Sequence, residues 1–287
     1  MSRRFDLTEN GILMAVHMNR AGLSQQSRML AQEAAKSHNA NAKRMATAVK
    51  KLDSDVLADN TSVVNRARKF FETHSIPWMD SGLRYVPISN YPKVKKGLQE
   101  LSNEFEDTFS EIDKHYESHK LTYLKEVNDI ADEVPFPTRE QLRSGFQFSW
   151  TELPLPKTDD IRLMHMSEED AAEIEANVKS HYEKILKNSR TEILERLQKR
   201  VAHLKDKLDA DGGRVFHAAV DNVKEELDVV RSLNITNDAD VNRIISRIEA
   251  QIVTIDVDAL KKDDNLRMAK SNAASDVLAD IKKSFGK

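Results

Sequence analysis

Glu111, His115 and His119 recur at i, i+4 and i+8, which on a helix puts a carboxylate and two imidazoles on one face, with Glu117 between the histidines. These are zinc-type donors. The order is not His-Glu-x-x-His, however, which sets a general base beside the metal, and a catalytic zinc wants three protein ligands and an open position. The flank of a solvated helix accounts for them more simply, so no metal site is assigned and the three residues stand as candidates only. Met164-His165-Met166 offers soft donors, but successive residues of an extended segment point to alternate sides and do not converge. Glu168-Glu169 and Asp159-Asp160 fall at a helix start and in a linker, where capping and solubility explain them. His17 reads as a strand-face residue. The eight glycines, at 11, 22, 82, 97, 145, 212, 213 and 286, match no P-loop, dinucleotide fingerprint or nucleophile elbow. No catalytic residue and no cofactor is therefore assigned, and the chain is read as a non-enzyme.

Trp78, Tyr85 and Tyr91 stand near Arg84, and aromatic rings beside a guanidinium are what a single-stranded nucleic acid stacks on. The competing account is half-buried packing with a satisfied polar tip, and Trp78, Arg84, Tyr85 and Trp150 are read first as structural or interaction residues. A basic set, Lys43, Arg44, Lys50, Lys51, Arg66, Arg68 and Lys69, gives a nucleic-acid reading its phosphate contacts. Residues 1–70 hold 12 Lys and Arg against 6 Asp and Glu, while the whole chain is at −3, so the remainder is acidic. That asymmetry suits a polyanion, a head-to-tail contact between copies, or simply solvated helix faces.

These residues need elements to hold them. Of 287 residues, 32% are charged and 6% aromatic, with 8 Gly and 7 Pro, a composition that favours long solvated helices. There is no Cys, which excludes disulfides and thiolate chemistry and makes the cytoplasm the expected location. No run nears eighteen apolar residues, and no signal-peptide pattern opens the chain, so no membrane partner is expected. All seven Pro and 13 of the 17 aromatics lie between Phe70 and Pro156. Three stretches follow: 1–60, a basic strand and helices; 61–163, an aromatic- and Pro-rich α+β core; 164–287, a helical hairpin and bundle.

Along the chain, Gly11 to Met18 alternates as a strand. Helices are expected from Ser24 through Ala34, and again through Met45, Val49 and Leu52 after a break at His38-Asn39-Ala40-Asn41. Asn60, Thr61 or Ser62 should cap a helix ending near Ser75, before Pro77. Trp78-Met79 and Leu83-Arg84-Tyr85-Val86 flank Asp80-Ser81-Gly82 as a hairpin stopped by Pro87. A helix opening at Pro92 carries Val94, Leu98, Leu101, Phe105, Phe109, Ile112 and Tyr116 on its core face, with a bend expected at Ser118 to Lys120. Thr138 and Gln141 form a capping box, and Phe146, Phe148 and Trp150 share one face of a strand. From Ser167 a long helix should run to about Asp209, its Leu194, Leu197, Val201, Leu204 and Leu208 spaced as a coiled-coil seam. Asp211-Gly212-Gly213 then turns it into a second helix with Phe216, Val220, Val223, Leu227 and Val230, an antiparallel hairpin. Helices through Val241 to Ile252 and Leu266 to Phe285 complete a bundle. The fold expected is mainly α with a small β-sheet (α+β) and a long antiparallel helical hairpin or bundle in the C-terminal half.

Ile76-Pro77-Trp78, Gly82-Leu83-Arg84-Tyr85-Val86-Pro87, Tyr91, Phe136-Pro137-Thr138 to Leu142, Phe146, Leu153-Pro154-Leu155-Pro156 and Asp160-Ile161-Arg162 occur here in that order. In these motifs, from about Val49 to Leu163, the sequence resembles an uncharacterised family of tailed phages, plasmids and some proteobacterial genomes. That resemblance implies a phage or mobile-element origin and gene neighbourhood with MoxR-type AAA ATPases and von Willebrand type A proteins. It implies no activity and no catalytic residue. The expectation is a structural or interaction protein assembling into a homo-oligomer, a ring or a filament, in the host cytoplasm. Nucleic-acid binding and service as an adaptor for an AAA ATPase are the alternatives.

Overall fold

The computed structural model describes residues 7–20, 23–78, 82–156, 165–210, 217–254 and 257–285. It is 71% helical with a small antiparallel sheet of four strands, the mainly α fold that composition suggests. Two compact units form: Met1–Met14, Glu72–Lys93 and Glu152–Lys287 in one, Ala15–Phe71 and Val94–Thr151 in the other. Neither is contiguous in sequence, and each draws on more than one of the three consecutive stretches named above. In chain order the helices are α1 (Leu7–Asn10), α2 (Arg28–Ser37), α3 (Ala58–Thr73), α4 (Tyr91–Lys114), α5 (Tyr116–Val127), α6 (Arg139–Gly145), α7 (Glu168–Asp209), α8 (His217–Leu233), α9 (Ala239–Ile248), α10 (Val257–Lys262) and α11 (Asp264–Phe285). The strands are β1 (Gly11–Arg20), β2 (Ser24–Gln26), β3 (Ala48–Lys50), β4 (Ile76–Pro77), β5 (Arg84–Pro87) and β6 (Phe146–Leu153).

In the first unit, α7 begins where the sequence says it should. Ser167 accepts from the Asp170 amide at 3.1 Å, and Glu168, Glu169 and Asp170 sit at the positive end of the macrodipole. Its seam, Leu194, Leu197, Val201, Leu204 and Leu208, is fully buried against Val220, Val223, Leu227 and Val230 of α8. Early residues of α7 meet late ones of α8: Ser189 Oγ donates to the Leu233 carbonyl at 3.2 Å, and Arg196 and Arg200 both reach Glu226. The pair is therefore an antiparallel hairpin. Its expected turn at Asp211-Gly212-Gly213, with Phe216, lies outside the described residues. Helix α11 also runs antiparallel to α7, with Ser271 on Asp209 and the Ser284 carbonyl on Arg190. Between them α9 buries Val241, Ile244, Ile245 and Ile248, and a π-helical turn over Glu249–Val253 turns Ile252 inward. The short α10 has no counterpart in the sequence reading.

The Trp78 hairpin belongs to this same core. Ile76 pairs with Tyr85 and Pro77 with Arg84, and the Trp78 amide donates to the Leu83 carbonyl at 3.0 Å. Gly82 takes φ +80°, the left-handed conformation the turn required of it, while Met79 to Ser81 lie outside the described residues. Pro87 ends β5 rather than placing it on an edge, for the strand order is β4-β5-β1-β6. A Cβ at Gly11 would stand 2.2 Å from the Tyr85 ring, so β1 and β5 approach closely because residue 11 is Gly.

The second unit departs from expectation at its start. Ser27 caps α2 through the Leu30 amide, so the helix opens four residues after Ser24. Asn39, at φ +49°, ends it, and no helix follows through Met45, Val49 and Leu52. Instead Gln25 pairs with Val49 in a two-stranded ribbon of β2 and β3. The 4,3 spacing of Met45, Val49 and Leu52 mimicked a helix, but a non-local ladder that satisfies the backbone won. Asn60 is no cap either: α3 starts at Ala58 and Asn60 is fully buried within it. Helix α4 buries Val94, Leu98, Phe105, Phe109 and Ile112 as its spacing predicts, and the break falls at His115, ahead of Ser118. Gly97 lets α3 lie close, since a Cβ there would meet the Phe70 ring at 2.2 Å. The capping box of Thr138 and Gln141 has both of its bonds. Strand β6 enters the sheet beside β1, bringing Phe146 and Phe148 onto Phe105 at ring-centroid distances of 6.1 and 5.7 Å.

Candidate functional site

The basic residues fall into separate groups. Lys43 and Arg44 occupy a 3₁₀ turn capped by Asn41, and Lys50 and Lys51 lie on or beside β3. Lys51 donates to Gln25 at 2.9 Å, and burial lowers its pKa. On α3, Arg66 and Lys69 border a shallow groove with Thr61 and Asn65, but Arg66 is already paired with Glu104. Arg68 is exposed on the same helix.

The aromatic residues singled out with them are engaged in packing. Trp78 is 5% exposed and Tyr85 0%, stacked at 6.5 Å, and the Tyr85 hydroxyl donates to the Leu7 carbonyl. Trp78 is further clamped edge-on by His181 and Tyr182 at 4.8 and 5.6 Å. Arg84 is spent on structure: its Nε donates to Ser75 Oγ at 2.7 Å and its Nη2 to the Ser75 and Glu72 carbonyls. Burial pulls its pKa down, opposed by Glu192 and Glu72. Tyr91 donates to Glu152 at 3.0 Å, and Trp150 is half-buried against Phe148. These are packing residues, and bases have no access to Trp78 or Tyr85.

Glu111, His115 and His119 do share a place, but not as metal ligands. The Glu111 carboxylate is taken by Lys114, which together with His115 lowers its pKa. The two imidazole rings stand edge to face with centroids 6.3 Å apart. Among the described residues no group of three or more His, Asp or Glu side chains is placed to hold a metal ion. What the three residues border is a cleft of about 540 Å³ between α3 and α4 that reaches the start of α5.

From α3 the cleft receives Asp59 and Asn60, and from α4 Glu104, Asp107, Thr108 and Ser110. The sequence offered Asn60 only as a helix cap and singled out none of the others; the crossing of α3 on α4 brings Asp59 and Asn60 beside the α4 residues. Asp59 and Asp107 form no ion pair among the described residues. Asn60 is the unusual member. Its Nδ2 donates to Thr108 Oγ1 at 2.8 Å, and Thr108 in turn donates to the Phe105 carbonyl at 2.7 Å. That chain fixes the amide's orientation, since Thr108 has no second proton to give. Asn60 Oδ1 is left buried without a partner, an omission that costs about 1–3 kcal/mol in a closed protein. Burial first, then the neighbouring His115, hold the His119 pKa below its ordinary value, with Asp53 opposing.

No family model matches this chain, and neither does a curated protein or a solved structure. Its geometry has to speak for itself. No helix among the described residues is long and apolar enough to cross a membrane.

Another feature is the beginning of α7, which has no packing partner among the described residues. From residue 168 to residue 180 none is buried, before His181 and Tyr182 pack on Trp78 and Ile185 enters the core. At 1.5 Å per residue that is about 20 Å of helix. Ala171, Ile174 and Val178 continue the apolar stripe that further on packs as Tyr182, Ile185 and Ser189, and Ile174 is 37% exposed. Residues 168–178 carry five carboxylates and no cation.

Proposed function

We propose that the protein is a non-enzymatic structural or interaction protein of a phage or mobile element, and that its copies assemble head to tail into a homo-oligomer. The observation that carries this reading is the open first part of α7. An amphipathic helix gains most of its stability in water from packing its apolar face, and this stretch continues a core stripe that no described residue covers. Its five carboxylates are complementary to the basic residues 1–70, where exposed Lys43, Arg44, Lys50, Arg68 and Lys69 are available on a second copy. A contact between two different surfaces is heterologous, so it closes into a ring or extends as a filament. The cytoplasm of a bacterial host is the setting this reading implies.

Light scattering on size-exclusion fractions tests it. Complexes larger than one chain are expected at low salt and should shrink as salt screens the charges, and replacing Glu168, Glu169, Glu173 and Glu175 together by Gln should leave monomer at either salt. Monomer at tens of micromolar, at both salt concentrations and in the unaltered protein, overturns the reading. Retention on labelled DNA or RNA at low salt would favour nucleic-acid binding by the same basic residues, without base stacking on Trp78 or Tyr85. Co-purification with a MoxR-type ATPase would favour the adaptor.

A further inference from the structure

The head-to-tail assembly proposed above needs a receiving surface on the second copy, and the cations of residues 1–70 do not by themselves make one. Ala171, Ile174 and Val178 form the apolar stripe at the start of α7, with Glu173 and Glu175 on either side of it, so the complement has to be apolar as well as basic. Helix α3, with Arg68 and Lys69, and the 3₁₀ turn, with Lys43 and Arg44, expose no large apolar side chain. Helix α5 exposes two. Leu121 is 57% and Leu124 41% exposed, three residues apart on the face turned away from buried Tyr116 and Tyr123, and no other helix among the described residues shows such a pair within one turn. Lys120 and Lys125 flank the pair, and Glu117 is the single carboxylate on that face. Exposed Lys50 stands beside it, for Lys50 and Thr122 line one cleft of about 250 Å³ between the ribbon and α5.

We infer that the start of α7 docks along this face of α5 in a second copy, with Ile174 against Leu121 and Leu124 and its flanking carboxylates against Lys50, Lys120 and Lys125. The inference rests on the head-to-tail reading and names the surface that receives α7. Two helices whose exposed apolar residues recur three or four apart can interlock, the ridge of one entering the groove of the other. Burying Ile174 and the two leucines supplies the driving force, at positions where each chain alone leaves large apolar side chains in water. The lysines supply selectivity. They attract the acidic start of α7 and repel a second α5 laid on the same face, which disfavours a symmetric pairing of α5 with itself.

Light scattering of the full chain across a dilution series at low salt tests it. Leu121→Gln with Leu124→Gln, and separately Lys120→Glu with Lys125→Glu, should each raise the concentration at which the chain assembles at least tenfold. None of the four residues belongs to a core, so the denaturation midpoint of dilute monomer should stay in place. Adding Glu173→Lys and Glu175→Lys to the α5 charge reversal should restore assembly, whereas adding them to Arg68→Glu with Lys69→Glu should not. The inference is overturned, and head-to-tail assembly left standing, if the α5 variants assemble like the unaltered protein or if the α3 reversal is the one rescued. A lowered midpoint in the leucine variant overturns it too, because the pair would then be covered within its own chain. If the unaltered protein is monomeric at both salt concentrations, the head-to-tail reading falls and the inference with it.

Discussion

The two compact units bury different kinds of side chain. The first fills its core with Leu, Ile and Val from α7, α8, α9 and α11, while the second is built around Phe105, Phe109, Phe146 and Tyr116. Aliphatic residues repeated along long helices need only the right period, and any register that keeps it buries a stripe. Rings have preferred mutual geometries, so the aromatic core depends on where each strand and helix end is placed. The first unit is thus specified by repetition and the second by position. The cleft lies in the second, where Asp107, Glu111, His115 and His119, spaced four apart, meet Asp59 and Asn60 of α3, which only position brings there.

The largest effects should come from emptying either core, and the two Trp allow the units to be followed separately, Trp78 in the first and Trp150 in the second. Phe105→Ala should cost about 3–5 kcal/mol and Leu204→Ala about 2–5 kcal/mol, both residues being buried to 1% exposure or less. Denaturation followed in Trp78→Phe and Trp150→Phe backgrounds should show Phe105→Ala acting chiefly on the Trp150 signal and Leu204→Ala on the Trp78 signal. Equal shifts of both signals by either variant would dissolve the distinction between the units.

Next in size is a charge cluster on the buried Glu226 within the first unit. Glu226 accepts from Arg196 at 2.6 Å and from Arg200 at 2.9 Å, and Arg196 also donates to the Thr73 carbonyl. Burial of Glu226 works against its ionisation, but the two guanidinium groups prevail and its pKa lies below the ordinary value. Its folded pKa being the lower one, its contribution is complete above the unfolded value of about 4.3 and is lost as pH falls through the folded value. Glu226→Gln should therefore destabilise by about 3 kcal/mol at pH 7, since it strands two arginines, and the deficit should narrow in acid. Neighbouring Glu192 behaves oppositely: burial raises its pKa although Arg84 and Arg196 oppose it. Glu192→Gln should therefore matter least below the unfolded value of about 4.3 and improve stability relative to the unaltered protein as pH rises above it, which urea titrations on either side of that value would check.

What was legible in the sequence follows the same division. Ser167, the acidic first turn and the Leu194 to Leu208 spacing place both ends of α7, because a long periodic helix needs only local information. The ribbon of β2 and β3 was not legible: three residues are too short to show a period, and Gln25 finds Val49 only across the intervening helix. Within the cleft, His115 and His119 could be picked out because they share a helix. Asp59 and the orphaned Asn60 could not, since residues 60 and 108 are neighbours only once α3 has crossed α4 at Gly97.

A smaller effect isolates one positional device of the second unit. Thr138→Ala removes the hydroxyl that accepts from the Gln141 amide at 3.1 Å and starts α6. The expected loss is about 1 kcal/mol, read on the Trp150 signal.

The smallest effect on stability should come from α7 itself, at a position where the repetitive unit has nothing to repeat against. Ile174 and Leu204 are both aliphatic residues on the same stripe of one helix, yet Leu204 is 1% exposed and Ile174 is 37% exposed. If burial rather than residue type sets the cost, Ile174→Gln should change stability by no more than about 0.5 kcal/mol, against the several kcal/mol expected at Leu204. The same change removes the apolar centre of the surface assigned to the neighbouring copy, so association at low salt should weaken while the denaturation midpoint of dilute monomer stays where it was. A midpoint that falls by as much as that of Leu204→Ala would mean that Ile174 is covered within its own chain, and that the start of α7 is core and not contact.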